Sequence, residues 1–302
     1  MGRAFSGLTI AFWLLPAAAA FSAPKPPVGA CRSYRSAWLE RDIEYCSERS
    51  RPDLEARSGE PVVYFLHAFR ESARQWWSYG YAESLDRLRR EGGLPAFRVV
   101  SFTTTMTSFY SDAQGIPLGR QAHESWFLRE FLPRIEREYD VCRERACRHL
   151  AGHSMGGIGA IKIALRHPAT FASTSGQSAA LFPFPLYEPL WRWGVYFAKH
   201  PASGLFAPLL MKEARRIFPS AAIADENDPA EIIPSFAGPR PSIYVDMGTR
   251  DEFGYMQGLE RFDEAMDDAD WPYASYVQED GKHKADADRR EHLLRHLVTE
   301  MR

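Results

Sequence analysis

A mostly parallel β-sheet covered by helices on both faces, an α/β fold, is what this sequence predicts. Three observations carry the expectation. Short apolar strand-like runs alternate with amphipathic helical stretches along the chain. One run, Pro61-Val62-Val63-Tyr64-Phe65-Leu66, is continuously apolar and rich in β-branched and aromatic residues, as in a central strand buried on both faces. Finally, Gly152-His153-Ser154-Met155-Gly156-Gly157 reads G-x-S-x-G between a strand-like and a helical segment, the context of a nucleophile elbow.

The elements follow in order. Residues 1–22 read as an export signal: Arg3 supplies the positive charge, Leu8 to Ala20 the apolar run, and Ala18-x-Ala20 a small-residue cleavage site. The run is shorter than the about 20 residues of a spanning helix. No membrane span is therefore expected after cleavage, and an uncleaved anchor is the competing reading. Val28-Gly29-Ala30-Cys31 loosely resembles a lipoprotein box, but Pro24, Pro26 and Pro27 detach it from the apolar run. Residues 23–37 read as a linker, Pro-rich between Ala23 and Ala30, and 38–302 as the folded domain.

Within the domain, Trp38 to Cys46 reads as an early strand, followed by the Pro61–Leu66 strand, a helix over Ala82 to Arg90 and a strand over Phe97 to Phe102. Ala122 to Tyr139 reads as a long helix kinked or broken at Pro133. His149 to Ala151 leads into the elbow, and the helix after it closes at Arg166-His167-Pro168. Further strands are expected over Phe171–Gly176, Ser242–Met247 and Ala274–Gln278, and a closing helix over Asp286–Met301. The segment from Leu181 to about Pro219 breaks this rhythm. It holds Phe182, Phe184, Tyr187, Trp191, Trp193, Tyr196, Phe197, Phe206 and Phe218, which together suggest a cap inserted over an apolar pocket.

The chain has 302 residues, 45% of them hydrophobic, enough for one large core or a core with a cap. A net charge of -2 gives no basic face, so no nucleic-acid partner is expected. Four cysteines in an exported chain suggest disulfides. Of the three pairings, the local ones, Cys31–Cys46 and Cys142–Cys147, are favoured over the alternative of free buried thiols. No C-x-x-C metal pattern occurs, and neither a metal nor an organic cofactor is expected. Oligomeric state is not encoded in any visible pattern.

Chance would supply about 0.1 G-x-S-x-G matches in a chain this long, so the elbow's weight depends on its companions. A serine hydroxyl needs a histidine to take its proton, and an acid to orient that histidine and stabilise the imidazolium. Asp246 and Asp251 both sit near the end of the Ser242–Met247 strand. Asp251, beyond Gly248 in a loop that can reach over the sheet, is preferred as the acid, Glu252 is a lesser candidate, and an N-cap role for Asp251 is the structural alternative. His283, in Gly281-Lys282-His283 after the last strand, is the expected base. His153 is too constrained within the elbow, and His292 and His296 lie on the closing helix. The oxyanion hole requires two backbone N–H donors, expected from Met155 and from Phe69 in Leu66-His67-Ala68-Phe69-Arg70.

These residues resemble, in order and spacing, the esterase family that includes S-formylglutathione hydrolases, feruloyl esterases, short-chain acyl esterases and antigen 85 mycolyltransferases. The resemblance runs from about Trp38 to Leu297. It rests on Leu66-His67-Ala68-Phe69, Ser108-Phe109-Tyr110-Ser111-Asp112, the elbow, Arg166-His167-Pro168, Gly248-Thr249-Arg250-Asp251 and Gly281-Lys282-His283. It implies an α/β-hydrolase fold, with Ser154 as nucleophile, Asp251 as acid, His283 as base, and Phe69 and Met155 at the oxyanion hole. The chain departs from the family at Ala68, where glycine is common, and after His283, where Lys284-Ala285-Asp286-Ala287-Asp288 replaces a stretch that often carries tryptophans. The expected activity is exported carboxylic-ester hydrolysis on a small-molecule or lipid-like ester. Acyl transfer to an alcohol, as in the antigen 85 branch, is the enzymatic alternative, and a catalytically silent cell-envelope binding module is the alternative from another class.

Overall fold

The computed structural model describes residues 31–113 and 121–302. The expected signal segment and the Pro-rich part of the linker lie outside these residues.

One eight-stranded sheet organises the chain. Its strands are β1 (Cys31–Arg35), β2 (Asp42–Arg49), β3 (Val62–Leu66), β4 (Arg98–Phe102), β5 (Arg148–His153), β6 (Ser173–Gln177), β7 (Ser242–Gly248) and β8 (Ala274–Gln278). The spatial order is β1-β2-β4-β3-β5-β6-β7-β8. From β4 through β8 every pairing is parallel, whereas β1 and β2 add an antiparallel edge. All five residues of β3 are buried, as its unbroken apolar run demands.

The major helices are α1 (Tyr81–Glu91), α2 (residues 123–138), α3 (Met155–Arg166), α4 (Leu190–Lys199), α5 (Pro201–Ile217), α6 (Met256–Asp268) and α7 (Ala287–Glu300). One face of the sheet packs Tyr64, Phe102 and Leu150 against Phe127, Phe131 and Ile163 of α2 and α3. The other packs Val63 and Phe65 against Leu85 of α1 and Leu293, Leu294 and Leu297 of α7. Helices on both faces thus cover the parallel strands.

Several local expectations shift. Cys31–Arg35 falls in the expected linker but forms β1, because its pairing with β2 is antiparallel and Cys31 lies opposite Cys46, to which it is disulfide-bonded. The second disulfide is Cys142–Cys147. Residues 36–41 turn rather than extend, so the early strand begins at Asp42. In α2 the chain does not break at Pro133. A π-helical turn over Phe127–Phe131 comes just before Leu132–Glu138, absorbing the missing donor and the ring's bulk. Asp286 is the N-cap of α7 and accepts from Arg289 N–H.

The expected insertion between β6 and β7 contains α4 and α5, which form their own apolar cluster. Phe184, Trp193, Tyr196 and Phe218 are buried there, with Phe182, Tyr187 and Phe197 packed against them. Trp191 points outward, 70% exposed, because it lies on the opposite face of α4 from Trp193 and Tyr196. The side chain of Phe206 lies outside the described residues.

Buried histidines make the fold acid-sensitive. Burial pushes His67 and His149 down to about 4 and His123 to about 3. Unfolded histidine titrates near 6.5. The unfolded chain therefore binds more protons between about pH 6.5 and 4, and the stability present above that window is lost as pH falls through it. Thermal melts should show Tm falling steadily from pH 7 to pH 4.5. A flat Tm over that range would contradict the assignment of these rings as neutral.

Candidate active site

The elbow is built by close approach of backbone. Ser154 sits between β5 and α3 at φ 56°, ψ -116°, a conformation disfavoured for any residue with a side chain. A Cβ on Gly152 would stand 2.2 Å from Gly156 O, and one on Gly156 would stand 2.0 Å from Leu66 O. Both glycines are thus dictated by contact between the helix start, the strand and β3, rather than by positive φ. Ser154 N–H donates to Gln177 O at 2.9 Å and Ser154 O accepts from Ala180 N–H at 3.0 Å, which clamps the turn to the end of β6.

The loops after β7 and β8 bring an acid and a histidine together. His283 Nδ1 lies 2.7 Å from Asp251 Oδ2, and the Asp251 carboxylate is fully buried. Asp251 Oδ1 also accepts from Phe253 N–H at 2.9 Å, a turn within the loop, whereas the N-cap of α6 is Tyr255, so Asp251 does not take the capping role expected as the alternative. The Asp251 contact assigns the ring proton to Nδ1 and leaves Nε2 as an acceptor. Gly248 and Gly281 make the loop contact possible: a Cβ on Gly248 would stand 2.2 Å from Gly281 O.

His283 is held through its backbone on both sides. Its N–H donates to Glu252 Oε2 at 2.9 Å, and its carbonyl accepts from Ser178 Oγ at 2.6 Å. His153 Nε2 lies 3.2 Å from the same carbonyl. Burial and the neighbouring His283 push His153 well down, so it serves as a neutral donor here. Glu252 therefore braces the main chain of His283, while Asp251 meets its ring. Asp246 is buried elsewhere, paired with Arg289 of α7, and both side chains are 0% exposed. Arg289 Nη1 donates to Lys282 O at 2.6 Å, and Arg289 Nη2 to Ser178 Oγ. Sequence reasoning did not single out Arg289 or Ser178. The one available signal was an arginine on the apolar side of a closing helix.

Phe69, Met155, Ser154 and His283 line one pocket of about 230 Å³. Ser154 Oγ and His283 make no direct hydrogen bond in this structure, as is common before a ligand draws such groups together. The loop that carries Phe69 is rigidly held. Ala68 N–H donates to Gln75 Oε1 at 2.7 Å, and Tyr110 OH donates to His67 O at 2.9 Å. The His67 ring is itself buried, with Nδ1 2.8 Å from Ala68 O and Nε2 accepting from Thr104 N–H at 2.9 Å. Phe253 and Tyr255 pack on the His283 ring, with centroids 4.6 and 5.5 Å away.

A further buried group supports the pocket wall. Lys162 of α3 donates to Tyr110 O at 2.6 Å and Phe109 O at 3.2 Å, and pairs with Glu124 at 3.2 Å. Burial alone would raise the Glu124 carboxyl. Lys162, the His167 hydrogen bond and Arg166 together hold it well below the usual carboxylate range. This pins the Ser108–Ser111 turn, where Phe109 and Tyr110 both have positive φ, and Phe109 forms part of the pocket. Lys284 lies with its Nζ 4.5 Å from the centre of the Tyr79 ring, and the residues after it start α7. Among the described residues, one cluster has the ligand types of a metal site, Cys31, Glu44 and Cys46. Its two sulfurs are bonded to each other and offer no thiolate.

The Esterase family model, described as "Putative esterase", matches residues 50–296. The solved structures that share the fold include the following three. S-formylglutathione hydrolase from Agrobacterium tumefaciens is 20% identical with a TM-score of 0.67, over 90% of this chain and 93% of that one. The ferulic acid esterase of Anaeromyces mucronatus is 13% identical with a TM-score of 0.63, over 90% and 91%. MPT51 of Mycobacterium tuberculosis is 15% identical with a TM-score of 0.64, over 89% and 97%. With a family match across most of its length, the chain belongs to the esterase family, and its sheet order is that of the fold these structures share.

Proposed function

We propose that the protein is an exported carboxylic-ester hydrolase that turns over through an acyl-enzyme on Ser154. The observation that carries the reading is the meeting of three sequence-distant groups: Ser154 on its strained elbow, and the Asp251–His283 pair at 2.7 Å, on one pocket. Ser154 Oγ attacks the ester carbonyl while His283 Nε2 takes its proton. Asp251 holds the Nδ1 proton and stabilises the imidazolium. The backbone N–H groups of Met155 and Phe69 stabilise the oxyanion. As the tetrahedral adduct collapses, the C–O bond to the alcohol breaks and His283 returns the proton to the departing oxygen. Water, deprotonated by His283, then attacks the acyl-enzyme and releases the carboxylic acid with Ser154 restored.

A fluorophosphonate probe tests the nucleophile directly. Peptide mapping of the labelled wild-type protein should find one adduct, on the peptide bearing Ser154. A protein that hydrolyses esters but carries its adduct elsewhere would refute the assignment. Export is supported by the N-terminal pattern and by the two disulfides. The protein recovered from the periplasm or medium should lack residues 1–22 and contain no titratable thiol. Retention of Met1 on that protein would count against cleavage.

A further inference from the structure

The pocket at Ser154 continues beyond the reacting groups. Phe109, Ala180 and Tyr255 line both it and a second, smaller cavity of about 60 Å³ under the cap helices α4 and α5. We propose that this inner cavity is the acyl-chain subsite and that the enzyme prefers esters of medium-length, unbranched alkanoic acids. The proposal rests on the serine-esterase reading and adds the substrate class.

The chemistry of the lining selects the ligand. Leu186, Phe197 and Met211 present only apolar surface. Apart from Tyr255, the polar side chains of the cavity are spent on the protein itself. Tyr196 OH and Ser203 Oγ each donate to Phe253 O at 2.7 Å, and Trp193 Nε1 donates to Leu186 O at 3.2 Å. Of the side chains lining this cavity, the Tyr255 hydroxyl, at the throat, is the uncommitted one. A ligand with a hydroxyl, amide or charge would surrender its water there without replacement, which costs more than burial of the rest gains. A methylene chain carries no such penalty and gains with every carbon buried.

The position of the throat assigns the chain to the acyl side. Ala180 N–H is bonded to Ser154 O, and Phe109 is held by Lys162 on the helix that begins beside Ser154. The throat therefore opens next to the nucleophile, where the acyl group stays bonded. The alcohol must leave past His283, which protonates it. The modest size of the cavity suits several methylenes beyond the carbonyl rather than a long fatty chain. Met211, unbranched and only partly buried, lines this cavity and can adapt.

The test is a chain-length series of p-nitrophenyl alkanoates from acetate to palmitate. kcat/KM should rise roughly two- to fourfold per methylene up to octanoate and fall by palmitate. Met211→Trp should lower the octanoate-to-acetate ratio at least about tenfold, and Met211→Ala should move the optimum to a longer chain. Because the ratio is taken within one protein, partial misfolding of a variant does not alter it. A flat profile, or a ratio indifferent to both variants, overturns the proposal, and persistent fluorophosphonate labelling at Ser154 would then leave the esterase reading standing. A chain-length preference shown by alkyl acetates instead of alkanoates overturns the acyl-side assignment. Faster turnover of methyl ferulate than of methyl octanoate overturns the aliphatic class. Absence of both labelling and turnover removes the esterase reading and the proposal with it.

Discussion

Ser154→Ala is expected to lower kcat/KM for a p-nitrophenyl ester by at least about 10⁴-fold and to abolish fluorophosphonate labelling. Alanine keeps the Cβ and the positive φ of the elbow, so the backbone strain is unchanged and Tm should move little. His283→Ala should be comparably severe. Asp251→Asn should cost about 10³- to 10⁴-fold, since an amide at that position favours the wrong tautomer of His283. These losses should not add, because the three groups act on one proton transfer. Steady-state kinetics on the three single variants and the triple variant measure this. A Ser154→Ala protein that retains a tenth of wild-type turnover would exclude Ser154 as nucleophile.

Asp246→Asn should produce the largest loss of stability among charge-removing substitutions. Burial pushes the Asp246 carboxyl up, against the pull of Arg289 and of Gln177, whose Nε2 donates to it at 2.8 Å. The substitution leaves the Arg289 guanidinium buried without a counter-charge, which costs about 3–5 kcal/mol and on the order of 10 °C in Tm for a domain of this size. Activity should fall too. Arg289 also holds Lys282 O and the Ser178 hydroxyl, and Ser178 in turn holds the His283 carbonyl. The double variant Asp246→Leu with Arg289→Met removes both charges and should recover part of the stability but not the activity. Thermal melts and kcat on the cycle separate the two. A Tm for Asp246→Asn within 2 °C of wild type would show the pair to be solvated.

Much of the fold was legible in the chain. The β3 run, the elbow context and the alternation of strands with helices require only local patterns, and those patterns carry the layer architecture. The short spacing within each cysteine pair anticipated both disulfides. Boundaries were less legible. β1 exists because it pairs with β2, and its own five residues are mostly exposed and carry little pattern. Trp191 shows the same limit within the cap. An aromatic two residues from Trp193 reads alike in sequence, yet helical geometry sends one outward and the other into the cluster.

The sequence by itself determined the elbow, the order Ser154, Asp251, His283, and the helices and strands that carry them. It favoured Asp251 over Asp246 by position alone, since Asp251 lies in the loop beyond Gly248 while Asp246 lies within the strand. The tertiary structure added what position could not, a partner for each carboxylate from far along the chain. Arg289, 43 residues on, meets Asp246, and His283, 32 residues on, meets Asp251. A buried carboxylate takes its role from whichever donor is brought to it. That donor is delivered by the packing of α7 and of the loops after β7 and β8, which no short stretch of sequence encodes.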